Sequence, residues 1–159
     1  MVAQKTLLFT ILVPGTLLGL VPWLLLQASG EAMVPTYSVW LIGLLPICAG
    51  IVLYLWCAGA FTYIGHGTPA PIDAPVFLVR AGPYQWVRNP MYIGVLSVWF
   101  GEVILFHSVV LAWCGLLIAG IVHLFVVFYE EPSLRRQFGK SYETYLQTVP
   151  RWLPRYPRF

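Results

Sequence analysis

The chain has 159 residues, 59% of them hydrophobic and only 9% charged, with a net charge of +3 and a mean hydropathy of +0.78. Soluble domains carry about 25% charge, and disordered chains are polar and charged, so neither class fits. Six of the nine basic residues follow Tyr129, and with no soluble basic domain a nucleic-acid partner is excluded as well.

Asp, Glu, Lys and Arg are absent from Thr6 to Gly30, from Ala32 to Ile72 and from Val103 to Tyr129. A bilayer core needs about 20 apolar residues per helix. The pattern therefore predicts an all-α integral membrane protein, one membrane-embedded domain with about four transmembrane helices. Leu7 to Leu26 reads as the first span. Its apolar run is longer than the roughly 7–15 residues of a signal-peptide core, so it is expected to be retained. Pro14 and Pro22 should kink it, with neighbouring helices satisfying the freed carbonyls. Gly30 to Thr36 is a polar turn. Tyr37 to Phe61 is the second span, with Trp40, Trp56 and Tyr63 near its ends as an aromatic belt.

Thr62 to Asn89 is the longest segment between spans. Four prolines from Pro69 to Pro83 break any continuous helix there. Val76 to Val79 reads as a short strand-like or interfacial piece. Pro90 to Phe106 is the third span, with proline in the favoured first turn. His107 and Ser108 form a tight turn, and Val109 to Tyr129 is the fourth span, antiparallel to the third. Pro132 then opens a tail over residues 130–159. Within it, Ser133 to Gln147 reads as one amphipathic helix. The basic and aromatic stretch Val149 to Tyr156 suits a membrane surface. Lys5, Arg80, Arg88 and the basic tail all fall on one side of a four-span topology, which places both termini in the cytoplasm. Cys48, Cys57 and Cys114 sit inside apolar runs without metal-ligand spacing, so they read as core residues and no metal is expected.

Two polar stretches stand out against this background: Arg80 to Gly94, and Glu130-Glu131-Pro132. The antiparallel hairpin brings Arg88, Asn89 and Tyr92 at the start of span three to Glu130 and Glu131 at the end of span four. His123 lies seven residues before Glu130, about two turns away on the same face. The Gly65-His66-Gly67 loop reaches the same side. A carboxylate for a cation, an arginine for an anion and glycine backbone for close approach suit a zwitterion with an aromatic or ribose part, such as S-adenosylmethionine. Each element also has a purely structural explanation. The Glu pair can end a helix and pair with Arg135 or Arg136. Arg88 can be a positive-inside anchor, Tyr92 an interfacial aromatic and His123 a packing residue. Glu102 lies nearer the opposite face, outside this set.

Gly82-Pro83-Tyr84-x-x-Val87-Arg88-Asn89-Pro90-Met91-Tyr92-x-Gly94, then Glu130-Glu131-Pro132-x-Leu134 with Phe138-Gly139, Tyr142 and Tyr145, and finally Val149-Pro150-Arg151-Trp152-Leu153-Pro154 form an ordered set. It resembles the isoprenylcysteine carboxyl methyltransferase and phospholipid methyltransferase superfamily. Gly65-x-Gly67-Thr68-Pro69-x-Pro71 is similar to the upstream element of bacterial members. The resemblance implies methyl transfer from S-adenosylmethionine to a lipidic or hydrophobic acceptor, a carboxylate or an amine, in a membrane-embedded helical fold. It implies that Arg88, Pro90 and Tyr92 belong to an Arg-His-Pro-x-Tyr element, with Asn89 in place of the usual His. It also implies that one of Glu130 and Glu131 holds the methionine ammonium, with Gly65 and Gly67 as further cofactor contacts.

Arg88, Tyr92 and His123 are the expected catalytic residues, His123 being the best candidate base, and Tyr92 or Trp86 can face the sulfonium by cation–π contact. Membrane lipids and a lipid-linked substrate are the expected partners. Two other readings stay open. One is an NADPH-dependent reductase of the sterol-reductase type, which shares a similar Arg-His-Pro-x-Tyr stretch. The other is a non-enzymatic membrane protein that binds through its basic tail.

Overall fold

The computed structural model describes residues 2–31, 40–68 and 76–155. The turn beyond Glu31, the start of the second span at Tyr37, the Pro69 to Pro71 loop and the chain beyond Arg155 lie outside the described residues. Seven α-helices carry the rest: α1 (Val2–Leu12), α2 (Val21–Ser29), α3 (Trp40–Tyr63), α4 (Pro90–Phe106), α5 (Val109–Phe125), α6 (Glu131–Phe138) and α7 (Lys140–Thr148). Three continuous rods, Val2–Ser29, Leu41–Tyr63 and Val109–Phe138, are long and apolar enough to cross a membrane. The fourth, α4, is apolar but has only 17 residues. Large apolar side chains such as Leu7, Leu45 and Leu116 are exposed on these rods, as expected where the solvent is hydrocarbon. The architecture is that of an all-α membrane protein.

One expectation about proline is corrected: Pro132 was expected to open the tail and so end the fourth span. The fourth helix instead runs on, as the first does past Pro22, each through a π-turn just before the proline, at Thr16–Leu20 and Val126–Glu130. A proline ring collides with the carbonyl four residues back and offers no N–H to it. Widening the preceding turn relieves the collision: the Val21 N–H reaches the Thr16 carbonyl, and the Glu131 N–H reaches the Val126 carbonyl.

The tightest packing joins α3 and α4. A Cβ on Gly50 would lie 2.5 Å from the Gly94 carbonyl oxygen, and one on Gly101 would lie 2.6 Å from the Gly43 carbonyl oxygen. Gly43 and Gly50 on α3, like Gly94 and Gly101 on α4, are two helical turns apart, so the antiparallel helices meet backbone to backbone at two levels. With lipid outside, close van der Waals packing of this kind is what holds helices together. Trp99 of α4 is buried against α5, donating from Nε1 to the Leu111 carbonyl (2.8 Å), and a Cβ on Gly115 would strike its ring. His107 adopts a left-handed conformation and Ser108 caps α5, its hydroxyl accepting from the Leu111 N–H. The expected hairpin is therefore present. Hydroxyls fix the first rod: Thr6 meets Thr62 at 3.0 Å and Thr10 meets Tyr54 at 3.1 Å. The start of α1 thus lies beside the end of α3.

The tail also differs from expectation. Ser133 to Gln147 is not one helix, because Gly139 takes φ +52°, ψ −128°, a region only glycine enters without strain. The break turns α7 back, so that Tyr142, Tyr145 and Val149 pack with Leu134 and Phe138. Val76 to Val79 forms no strand; the segment is irregular, anchored where the Val76 N–H donates to the Gly65 carbonyl. Residues Val149 to Arg155 do not simply lie out along a surface. They form a strap bound back onto the loop before α4.

Candidate functional site

The loop before α4 is shaped by its own sequence. Gly82 has φ +61° and sits against the Trp56 ring, where a Cβ would be 3.0 Å from Nε1. Pro83 and Tyr84 follow in a single 3₁₀ turn, Gly82–Gln85. Asn89 precedes Pro90, and a residue before proline is held out of the helical region, so α4 begins at Pro90 and Arg88 projects from the bend just before it. The strap reads that stretch along its backbone: the Arg88 N–H donates to the Pro150 carbonyl (2.9 Å) and the Arg155 N–H to the Trp86 carbonyl (3.0 Å). The Asn89 side-chain amide donates to the Arg151 carbonyl at 3.1 Å instead of capping α4.

The two adjacent glutamates are used differently. Glu131 is buried and clamped by two arginines. Arg88 Nη1 reaches its Oε1 at 2.9 Å, while Arg151 takes both oxygens, Nε to Oε1 at 2.7 Å and Nη2 to Oε2 at 2.9 Å. Those bonds to Glu131 raise the Arg151 pKa above its ordinary value. Removing one partner of such a buried pair costs about 3–5 kcal/mol, because a charge is left uncompensated. Glu130 instead accepts from the Tyr92 hydroxyl at 2.9 Å and is only partly buried.

Around these groups lies a cleft. Phe61 of α3 and Tyr92 of α4 form one side, and Phe125, Tyr129, Glu130 and Glu131 of the long α5–α6 rod form the other. Thr68, Tyr84, Arg88 and Asn89 enter from the loops, and Leu134, Tyr142 and Tyr145 from the tail helices. The Tyr145 hydroxyl donates to the Tyr84 carbonyl at 2.7 Å, tying α7 to the loop. Burial raises the Tyr84 pKa, and with some help from Glu131 it pushes Tyr142 up to about 12, so these phenols stay neutral. One polar atom of the wall is orphaned: Arg88 Nε is buried with no hydrogen-bond partner. A buried donor left so costs about 1–3 kcal/mol.

Of the residues singled out from sequence, Arg88, Asn89, Tyr92, Glu130 and Glu131 come together at this cleft. Pro90 is buried in the first turn of α4, behind the wall. Gly65 and Gly67 are buried in the turn after α3, where the Gly67 N–H bonds to the Phe61 carbonyl (3.2 Å); their neighbour Thr68 lines the cleft and they do not. His123 is not brought to the cleft. It is exposed on α5, and its Nδ1 accepts from Trp152 Nε1 at 3.0 Å. Trp86 packs edge-on to Trp56 and is likewise outside the wall. Sequence reasoning missed Arg151. A signal was present: two adjacent acids at one membrane face need cations, and Arg151 sits between Pro150 and Trp152 in a stretch fixed by two prolines.

The sequence matches the phospholipid methyltransferase family over residues 39–141, more than half of the chain. It is 28% identical over 113 residues to phosphatidylethanolamine N-methyltransferase B of Dictyostelium discoideum, a stretch covering 68% of this chain and 55% of that protein. The chain thus spans about half the length of that relative. No solved structure matches it significantly. The matched stretch carries α3, α4, the long α5–α6 rod and both glutamates of the cleft, and on that ground the chain belongs to the phospholipid methyltransferase family.

Proposed function

We propose that this protein transfers a methyl group from S-adenosylmethionine to the amine of a membrane phospholipid. The observation that carries the reading is the pairing of Glu130 with Arg88 in one aromatic-walled cleft at the helix ends. Glu130 presents a carboxylate held by a single tyrosine hydroxyl, and Arg88 presents a buried guanidinium nitrogen without a partner. An α-amino acid has an ammonium for the first and a carboxylate for the second. Between the two glutamates, Glu130 is the ammonium ligand, because Glu131 is already saturated by Arg88 and Arg151. The cofactor would supply a methyl group already activated on a sulfonium. Tyr92 orients Glu130, and the ring walls Phe61, Phe125 and Tyr129 exclude water and offer faces to a cation. Holding two reactants in line is the main contribution such a site can make.

The family and the named relative favour a phospholipid amine over a prenylated carboxylate. Basic residues support a cytoplasmic site: Lys5, Arg80, Arg88 and Arg151 lie toward the cleft end of the bundle, the side that the positive-inside rule assigns to the cytoplasm. The family match gives the reductase reading no support.

The test is methyl incorporation from labelled S-adenosylmethionine by protein in nanodiscs, offered phosphatidylethanolamine or a prenylcysteine analogue. Labelled phosphatidylethanolamine, lost in Glu130→Ala, is the expected outcome. Label on the prenylcysteine alone would move the acceptor to the carboxylate class. S-adenosylhomocysteine that fails to bind, with the fold intact, would sink the cofactor assignment.

A further inference from the structure

We propose that Arg151 is a positioning residue: by occupying both oxygens of Glu131 it holds Arg88 to a single bond there and leaves Arg88 Nε unpaired for the carboxylate of the cofactor's amino-acid end. This rests on the cleft being an S-adenosylmethionine site. Arg151 lies beyond the residues matched to the family, which end at 141.

An arginine beside a buried carboxylate commonly binds it as a fork, with two parallel bonds. Arg88 does not do this. It gives Glu131 only Nη1, to Oε1, and its Nε stays without a partner. The fork comes from Arg151, whose Nε and Nη2 take the two oxygens at 2.7 and 2.9 Å. Arg151 is held there through its backbone, because its carbonyl accepts from Asn89 and the flanking Pro150 carbonyl accepts from the Arg88 N–H. The strap is therefore pinned to the same four-residue stretch that carries Arg88, and the fork is set before any ligand arrives.

The charge balance follows. Two arginines against Glu131 leave one positive charge, expressed at Arg88, and Glu130 supplies one negative charge beside it. Arg151 does not line the cleft, so it acts through Glu131 and Arg88 and does not touch the ligand. Without Arg151, Arg88 would close onto Glu131 as a fork, and the anion-binding side of the cleft would be lost while the adenosine side remained.

The experiment titrates the full chain in nanodiscs with two ligands, S-adenosylhomocysteine and 5′-methylthioadenosine, which lacks the amino-acid end. In Arg151→Met, affinity for S-adenosylhomocysteine is expected to fall about tenfold, the scale of one charge-assisted bond, while methylthioadenosine affinity stays unchanged. Arg151→Lys keeps the charge without the fork and should lose about threefold for the first ligand only. Equal loss for both ligands would mean that the strap merely shapes the cleft, and would overturn the proposal; so would unchanged S-adenosylhomocysteine binding. If Arg151→Met does not fold, an unaltered ratio of the two affinities in Arg151→Lys overturns it. Wild-type protein that binds neither ligand removes the cofactor reading and this inference with it.

Discussion

Glu130 and Glu131 are chain neighbours with opposite dependencies. Glu131 holds the loop, the strap and the long rod together through two arginines, whereas Glu130 has a tyrosine and an open cleft. Their substitutions should separate accordingly. Glu131→Ala strands the buried Arg88, while Arg151 is partly solvent-exposed, and should lower unfolding stability by about 3–5 kcal/mol, read as a clear fall in thermal midpoint in detergent. Glu130→Gln should leave that midpoint nearly unchanged and weaken S-adenosylhomocysteine binding by about tenfold, as expected for a charge-assisted bond of roughly 1.5–3 kcal/mol. Tyr92→Phe should show a smaller loss in the same direction, because it removes one hydrogen bond that aims the carboxylate without removing the charge.

The elements explain both what could be read in advance and what could not. The spans were legible because hydropathy is a sum over many residues, and a few misjudged positions do not change it. The meeting of Arg88, Tyr92 and the Glu pair was legible because a two-residue turn at His107 and Ser108 leaves antiparallel packing as the simple outcome. Pro132 misled for a local reason: a π-turn absorbs a proline at no cost in hydropathy, so it leaves little trace in sequence. Gly139 hid the break between α6 and α7, since a glycine with φ +52° is spelled like any other glycine. His123 was placed by helical periodicity from Glu130, and the intervening π-turn spoils that count; its ring faces Trp152 instead. Two changes test this level. Gly139→Ala should cost about 1–3 kcal/mol through backbone strain, seen as a lower thermal midpoint. Gly50→Leu should fail more severely, because a side chain would enter where the Gly94 carbonyl already stands, and the expected readout is loss of monodisperse protein on size exclusion.

At the scale of the whole molecule, one end of the bundle is basic, aromatic and carries the cleft, while the other carries the α4–α5 turn. With Cys48, Cys57 and Cys114 replaced by serine, Leu153→Cys, at a position 81% exposed, should react with an impermeant maleimide in inverted vesicles but not in intact cells. Labelling from outside would reverse the orientation and place the cleft on the wrong side for a cytoplasmic cofactor.

The strap has a further consequence for how the protein is made. Arg151 is synthesised after every described helix, and domains emerge from the ribosome N-terminal part first. Docking of residues 149–155 back across the loop can therefore follow insertion of the helices, with Glu131 held by Arg88 until Arg151 arrives. The clamp on Glu131 is then completed in a late folding step. A purified chain truncated after Thr148 should accordingly insert into membranes yet fail to bind S-adenosylhomocysteine.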